Sequence, residues 1–493
     1  MFRFKWKIGA DSPQREVPSA AARDIFEPFD FDSLIAKSRL RQALSCFVFR
    51  TVFPVVFAIL RVIAPVLRIG PLVVLSRHAE VAAVLSDRQG SFEVVYGPEM
   101  TELGEGTNFV LGLDGGEHEQ HRQTIALDLI DPVDIANIES ITRKTAAALL
   151  DAGAGRLDVM RDLVTRTASE ATCRFLGISP RDPDAFAEWT MAVSMLLFAD
   201  PFGDANVRKQ ALIAGEYIRR LIDDEIDRAR RQQQFFNPVG KSAKEIEERR
   251  QQSGLLERMI VRGDFTDAEV RATILGLSTG FIPTNTLAAG NILEELLDHP
   301  SLYEAARKAA KALAEARKAK DNMAETTQRE LLEGALLKAA ARYPALTPGI
   351  WRQVPKDVDI DVGQRRRGFK AGTFVLASIS SALRDGRRPR PASNGVEAAR
   401  EASDLIFGAY PHRCLGAHLA MAHIIEVFAA LLAQPGLKPA RGKHGKMWRA
   451  GPYPVRFDMD YECLTAQRCL LVAAVPLHPG VAIEAMEAAL DAI

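Results

Sequence analysis

Neither sign of charge prevails in this chain of 493 residues: 63 Lys and Arg balance 63 Asp and Glu. Without a basic excess there is no field to gather phosphates, so no nucleic-acid partner is expected. Cysteine is scarce. Five residues, Cys46, Cys173, Cys414, Cys463 and Cys469, are too few and odd in number for a disulfide framework, and point to a reducing, cytoplasmic setting. No fixed-period repeat is present, which excludes solenoids. The N-terminus shows no signal-peptide pattern, since Phe2 to Lys7 alternates aromatic and basic residues and a polar stretch follows through Arg23. A long unbroken hydrophobic run is missing too. The most apolar stretch, Ala43 to Leu67, is interrupted by Arg50, Pro54, Arg61 and Pro65. A central arginine costs a spanning helix roughly 2.5–3.5 kcal/mol, which disfavours a transmembrane reading. Two readings stay open: a pair of short core helices, or a membrane-surface segment in which basic residues interleave with Phe47, Phe49, Phe53 and Phe57.

What remains is an ordinary globular composition, 47% hydrophobic and 26% charged, long enough for a large core. Pro71 to Leu75 reads as a short buried strand, followed by a helical pattern over His78 to Leu85. Helical periodicity then dominates from Gly116 to about Leu337. It is broken near Ser179-Pro180 and by an exposed, charged connection from Gln232 to Gln252. Thr266-Asp267-Ala268-Glu269 is a capping-box sequence, and opens the longest helix, running to about Asp298. Short strands with turns at Val362-Gly363 and Ala371-Gly372 occupy Val354 to Phe374, and Gly451 to Val475 supplies more strand-like sequence. Helices first and small sheets late give a mainly α fold with small β-sheets.

The chemistry concentrates in Phe407-Gly408-Ala409-Tyr410-Pro411-His412-Arg413-Cys414-Leu415-Gly416. One cysteine stands just ahead of an amphipathic helical pattern, where unpaired N–H groups and the helix dipole lower a thiol pKa. A thiolate there is an apt iron ligand, and the flanking glycines let a flat macrocycle approach the backbone. A buried structural cysteine is the bland alternative. A zinc site on His412, Cys414 and His418 lacks paired spacing and a fourth donor.

The decapeptide resembles the haem-binding loop of the cytochromes P-450, Phe-Gly-x-Gly-x-His/Arg-x-Cys-x-Gly, through Phe407, Gly408, His412, Cys414 and Gly416; Leu419-Ala420 continues the match. The resemblance covers roughly Pro71 to Phe457. It implies the cytochrome P-450 fold, with residues 1–70 as an N-terminal extension, 71–457 as the haem domain and 458–493 as a C-terminal extension. It also implies haem b with Cys414 as axial thiolate ligand. His118 and Arg122, four apart on one helical face, resemble the family's His-x-x-x-Arg propionate clamp; Arg352 and His412 match two further propionate donors. Phe92 to Phe109 and Trp189 to Phe198 fall where the family contacts substrate. The basic runs Arg365 to Arg367 and Arg387-Arg388 are exposed turns or a docking face for ferredoxin or another redox partner.

Three departures stand out. Tyr410 replaces the loop's second glycine, a strained substitution wherever φ is positive. Lys338 and Ala341 occupy the family's Glu-x-x-Arg positions, so that ion pair is absent, whereas Arg384-Asp385 matches the later Asn-Arg-Asp landmark. In Thr279-Gly280-Phe281-Ile282-Pro283-Thr284-Asn285-Thr286 either register puts Ile282 or Pro283 where the family has its proton-delivering acid. An interior proline is expected to open the helix there, leaving Thr284, Pro283 and Asn285 as the catalytic candidates.

The resemblance implies a haem-thiolate oxidoreductase. The leading reading is a monooxygenase that hydroxylates or epoxidises a hydrophobic small molecule, lipid or terpenoid-like, with dioxygen and an external electron donor. The missing acid keeps two alternatives open: a peroxygenase or fatty-acid hydroperoxide isomerase or dehydratase, and a non-catalytic haem carrier or sensor.

Overall fold

The computed structural model describes residues 28–35, 47–200, 203–234, 253–362, 365–450 and 452–462. Cys46, Cys463 and Cys469, Phe2 to Lys7 and nearly all of the Gln232 to Gln252 connection lie outside the described residues. Helices dominate and the sheets are small, as the pattern predicted. The largest sheet has five strands in the order 66–69, 72–75, 374–377, 350–353, 93–94. Leu72 to Leu75 runs parallel to Phe374 to Ala377, while Ile350 to Gln353 returns antiparallel and ends beside Glu93-Val94. That last pairing sets Arg352 opposite Val94. The His78–Leu85 helix covers the sheet, with Val81, Val84 and Leu85 in the same core as Val73, Leu75 and Val375.

The Asp267–Asp298 helix is the spine of the molecule. Thr266 Oγ1 accepts from Glu269 N–H, and Glu269 accepts in return from Thr266 N–H, so the predicted capping box starts the helix. Apolar residues lie on all its faces, as a helix through the centre of a core requires. It stays helical through Pro283, so the expected opening of the backbone does not occur. Neighbouring helices carry the load that one lost hydrogen bond would otherwise leave to solvent.

The apolar N-terminal segment forms neither a spanning helix nor a pair of core helices. A π turn at Val48–Val52 leads straight into a helix at Phe53–Ile63. Phe57 anchors it against Val74 and Leu376, but Val55, Ile59, Val62 and Ile63 face outward at 52–72% exposure. Among the described residues no helix is long and apolar enough to cross a membrane.

Candidate functional site

The Gly395–Ala402 helix feeds into a 3-10 turn at Asp404–Phe407, and Gly408 then reverses the chain at φ +71°. That left-handed conformation is open to glycine without a Cβ penalty. Cys414 N–H donates to Phe407 O at 2.9 Å, closing the loop, and Gly416 caps the Ala417–Leu432 helix. Tyr410 is not strained: the described non-glycine residues with positive φ are Glu105, Ala154 and Lys320. The loop accommodates the substitution because that position is not left-handed here.

Cys414 is accessible, yet enough protein surrounds it for burial to push its thiol pKa up; Gly416 N–H and Arg413 oppose that shift without overcoming it. Desolvation therefore outweighs the helix N-terminus that the sequence pointed to. Cys173, by contrast, is buried and pushed up to about 12, an inert core thiol.

Three of the four candidate donors, His412, His118 and Arg352, converge on the Asp114 carboxylate. His412 Nε2 lies 3.0 Å from Asp114 Oδ1, and its ring centroid is 4.0 Å from that of His118. Asp114 Oδ2 accepts from Val94 N–H at 2.9 Å, on the strand residue that faces Arg352. Arg352 is only 3% exposed; burial lowers its pKa, while Tyr96 and Asp114 pull it back. His118 is buried and depressed to about 4, first by desolvation, then by His412, with Arg122 acting in the same sense and Asp114 against it. Arg122 holds a buried Nε without a hydrogen-bond partner, and its guanidinium lies 5.3 Å from the Tyr410 ring. Arg88 stacks on the same ring at 4.5 Å. The His-x-x-x-Arg spacing thus signalled a real cluster. Asp114 was visible in Leu113-Asp114-Gly115 without a role, and nothing in sequence spacing pointed to Arg88. Among the described residues no group of three or more His, Cys, Asp or Glu could hold a metal ion, which removes the zinc reading of His412, Cys414 and His418.

On the central helix, Thr284 Oγ1 donates to Gly280 O, Asn285 Nδ2 to Phe281 O at 2.9 Å and Thr286 Oγ1 to Ile282 O at 2.9 Å. Asn285, 1% exposed, keeps its Oδ1 unpartnered. Ile282 is fully buried in the cluster that also contains Leu419 and, at its margin, Phe281 and Leu415. A small cleft lies beside this helix, lined by Tyr96, Phe198, Leu287, Leu346, Trp351 and Tyr453 among others. Of the two segments expected to meet substrate, Tyr96 and Phe198 reach this cleft, while Phe92 packs against Phe369 in the sheet core. Lys338 is exposed and Ala341 half-buried, so no ion pair stands where the family keeps one.

The cytochrome P-450 family profile matches residues 66–447. The chain belongs to the cytochrome P-450 family. It is 24% identical over 405 residues to 20-oxo-5-O-mycaminosyltylactone 23-monooxygenase of Streptomyces fradiae, covering 78% of this chain and 83% of that one. It is 25% identical over 358 residues to erythromycin C-12 hydroxylase of Saccharopolyspora erythraea, covering 70% and 77%. The haem domain of the Tepidiphilus thermophilus P-450 has the same fold, with a TM-score of 0.62 at 16% identity over 90% of this chain and 98% of that one. This is therefore a cytochrome P-450 type oxidoreductase, of a family that holds haem on a cysteine thiolate. The residues present fit that group. A Cβ built on Gly280 meets nothing within 4 Å, whereas one on Gly276 would fall 2.3 Å from Phe109 and one on Gly290 2.4 Å from Pro454. The core leaves Gly280 facing open space, and Cys414 is exposed. The orphaned Nε of Arg122 is a donor of the kind a propionate would satisfy.

Proposed function

We propose that this P-450 is a monooxygenase in which Cys414 holds the haem iron and His118, Arg122, Arg352 and His412 hold the propionates. The observation that carries the reading is the loop that presents Cys414, closed by Cys414 N–H to Phe407 O at 2.9 Å, whose His412 meets Asp114 and His118. When bound, haem supplies the activation of dioxygen and the oxidation of a C–H bond or alkene, with two electrons from an external donor such as ferredoxin. The chain's own part is positional. Gly416 N–H donates toward the sulfur, favouring its thiolate form, and the Asp114 carboxylate orients the His412 ring. Tyr96, Phe198, Leu287 and Leu346 give the cleft an apolar part, which favours a hydrophobic small molecule, lipid or terpenoid-like in our reading. Macrolide and other bacterial oxygenases among the relatives support oxygen insertion without fixing that substrate. The spectrum of the reduced carbon monoxide complex tests the ligand: a thiolate-type Soret band in the wild type and its loss in Cys414→Ala are expected. Wild-type protein that takes up haem without that band would overturn it.

A second reading rests on the central helix, where Thr284, Asn285 and Thr286 all donate to their own backbone and Ile282 and Pro283 carry no acid. Such a site is poor at proton delivery, which favours a peroxide or substrate hydroperoxide as oxidant. Turnover that strictly requires reductant would exclude it. We place the protein in the cytoplasm on its cysteine usage. The outward face of the Phe53–Ile63 helix supports peripheral contact with a lipid surface. Cosedimentation with anionic vesicles that is undiminished in Ile59→Glu/Ile63→Glu would refute that contact.

A further inference from the structure

The structure assigns to Glu333 and Arg400 the work of the absent Glu-x-x-Arg pair: tying the Asn322–Arg342 helix to the segment that delivers Cys414. The assignment rests on the haem-thiolate reading for its meaning, and on geometry for its support. Arg400 Nε donates to Glu333 Oε1 and Nη2 to Oε2, both at 2.8 Å, a planar two-bond fork. Glu333 lies one turn and a residue N-terminal to Lys338, on the buried side of its helix, with its side chain 8% exposed. Arg400 stands in the last turn of the Gly395–Ala402 helix, directly ahead of the Cys414 loop. Glu397, on the same short helix, also accepts from Arg400. The two helices meet closely, since a Cβ on Gly334 would sit 3.9 Å from Ala399 Cβ.

Surface ion pairs usually contribute little, and the Arg400 side chain is 44% exposed. The carboxylate is not on the surface, however. A buried Glu333 without its fork has no other cation described beside it, so losing Arg400 leaves a desolvated charge that must be hydrated by parting the helices. The stress falls on a short path. Ser403 Oγ donates to Ala399 O at 2.7 Å, Gly408 N–H to Leu405 O at 2.9 Å and Cys414 N–H to Phe407 O at 2.9 Å, so the loop is built outward from the end of that helix. Displacing the Gly395–Ala402 helix therefore moves the sulfur. Glu333 and Arg400 are positioning residues that touch neither haem nor substrate.

The test uses full-length Glu333→Gln, Arg400→Met, Arg400→Lys and the charge swap Glu333→Arg/Arg400→Glu, with amide hydrogen exchange followed in residues 395–416 of the haem-free chain. The same variants are then loaded with haem, and the Soret band of the reduced carbon monoxide complex is recorded. The single variants should exchange roughly five- to tenfold faster across 403–416 and shift intensity from the thiolate-type band to one without thiolate ligation. Arg400→Lys, which keeps charge without the fork, should fall with the single variants, and the swap should restore part of both signals. Exchange and band position unchanged in Glu333→Gln and Arg400→Met would overturn the assignment, as would exchange that rises evenly through the whole chain. A wild-type chain that binds no haem would end the parent reading, and the exchange comparison would still decide this one.

Discussion

Gly280 separates packing from ligand binding in a single substitution. A glycine inside a helix destabilises by about 0.5–1 kcal/mol relative to alanine, through the extra freedom of the unfolded chain. Three glycines interrupt the central helix, and two have packing reasons: a methyl on Gly276 would overlap the Phe109 ring at 2.3 Å, and one on Gly290 would meet Pro454 at 2.4 Å. Gly280 has none, since its added Cβ finds no atom within 4 Å. Gly280→Ala should therefore stabilise the haem-free protein by about 0.5–1 kcal/mol, a rise of about 0.5–1 °C in Tm for a chain this long. Gly276→Ala and Gly290→Ala should lose about 1–3 kcal/mol by overpacking. Gly280→Leu should fold as well as the wild type but lose ligand binding in the space beside it, read as haem loading and as carbon monoxide affinity of whatever loads. Thermal melts of the haem-free proteins beside those titrations make the comparison. Destabilisation by Gly280→Ala, or wild-type binding by Gly280→Leu, would refute the argument that this space is kept for a ligand.

Arg449, 2% exposed, donates to Asn291 Oδ1 at 2.8 Å, to Pro452 O at 2.6 Å and to Glu294. Arg449→Met should cost about 3 kcal/mol in urea unfolding because it strands buried acceptors, and adding Glu294→Gln should recover part of that loss. His423 is fully buried and depressed to about 3 by desolvation. Below an unfolded value near 6.5 the unfolded chain binds the proton that the folded chain refuses, so stability is full above about pH 6.5 and declines as pH falls, by about 1.4 kcal/mol per pH unit for this group. His423→Phe should flatten that acid limb in denaturation measured from pH 7 to 4, and an unchanged slope would show that His423 is not its source. Pro283→Ala restores an amide donor toward Thr279 O in a helix that is already continuous, and should stabilise the fold by up to about 3 kcal/mol in thermal unfolding; a loss of stability would mean that the proline fits a bend the helix needs.

Much of the frame was legible because local chemistry sets it. The capping box at Thr266 and Glu269, the strand at Leu72–Leu75 and the helix at His78–Leu85 all form where their residues predicted. The meeting of His118 and His412 was legible through the family resemblance, which made both propionate donors; no local spacing fixes a contact between residues so far apart in sequence. Two expectations failed for one shared reason, that context outweighed a local rule. Burial raises the Cys414 thiol despite the helix that follows it. Pro283 does not break its helix, because packing on every side holds the turns together. The strain expected at Tyr410 was conditional on a positive φ, and that condition is not met.

The absent Glu-x-x-Arg pair shows what a linear motif cannot carry. Its positions hold Lys338 and Ala341, and the contacts that replace it come from Glu333 on the same helix and from Glu294 and Glu295 on the central one. Glu295 pairs with Arg342 at 3.2 Å, Asn291 Nδ2 donates to Pro344 O at 3.1 Å, and Glu294 holds Arg449, whose guanidinium lies 5.4 Å from the Tyr343 ring. Arg384 Nε donates to Arg342 O at 2.8 Å, bringing in the residue that does match the family. The central helix thus fixes residues 342–344, while Glu333 fixes the approach to the Cys414 loop through Arg400. One short-range pair has been divided into two long-range anchors, each joining residues far apart in sequence. Because each anchor holds a different end of the haem-binding frame, Arg449→Met should lower global stability with little change at the Cys414 loop, and Arg400→Met should do the reverse.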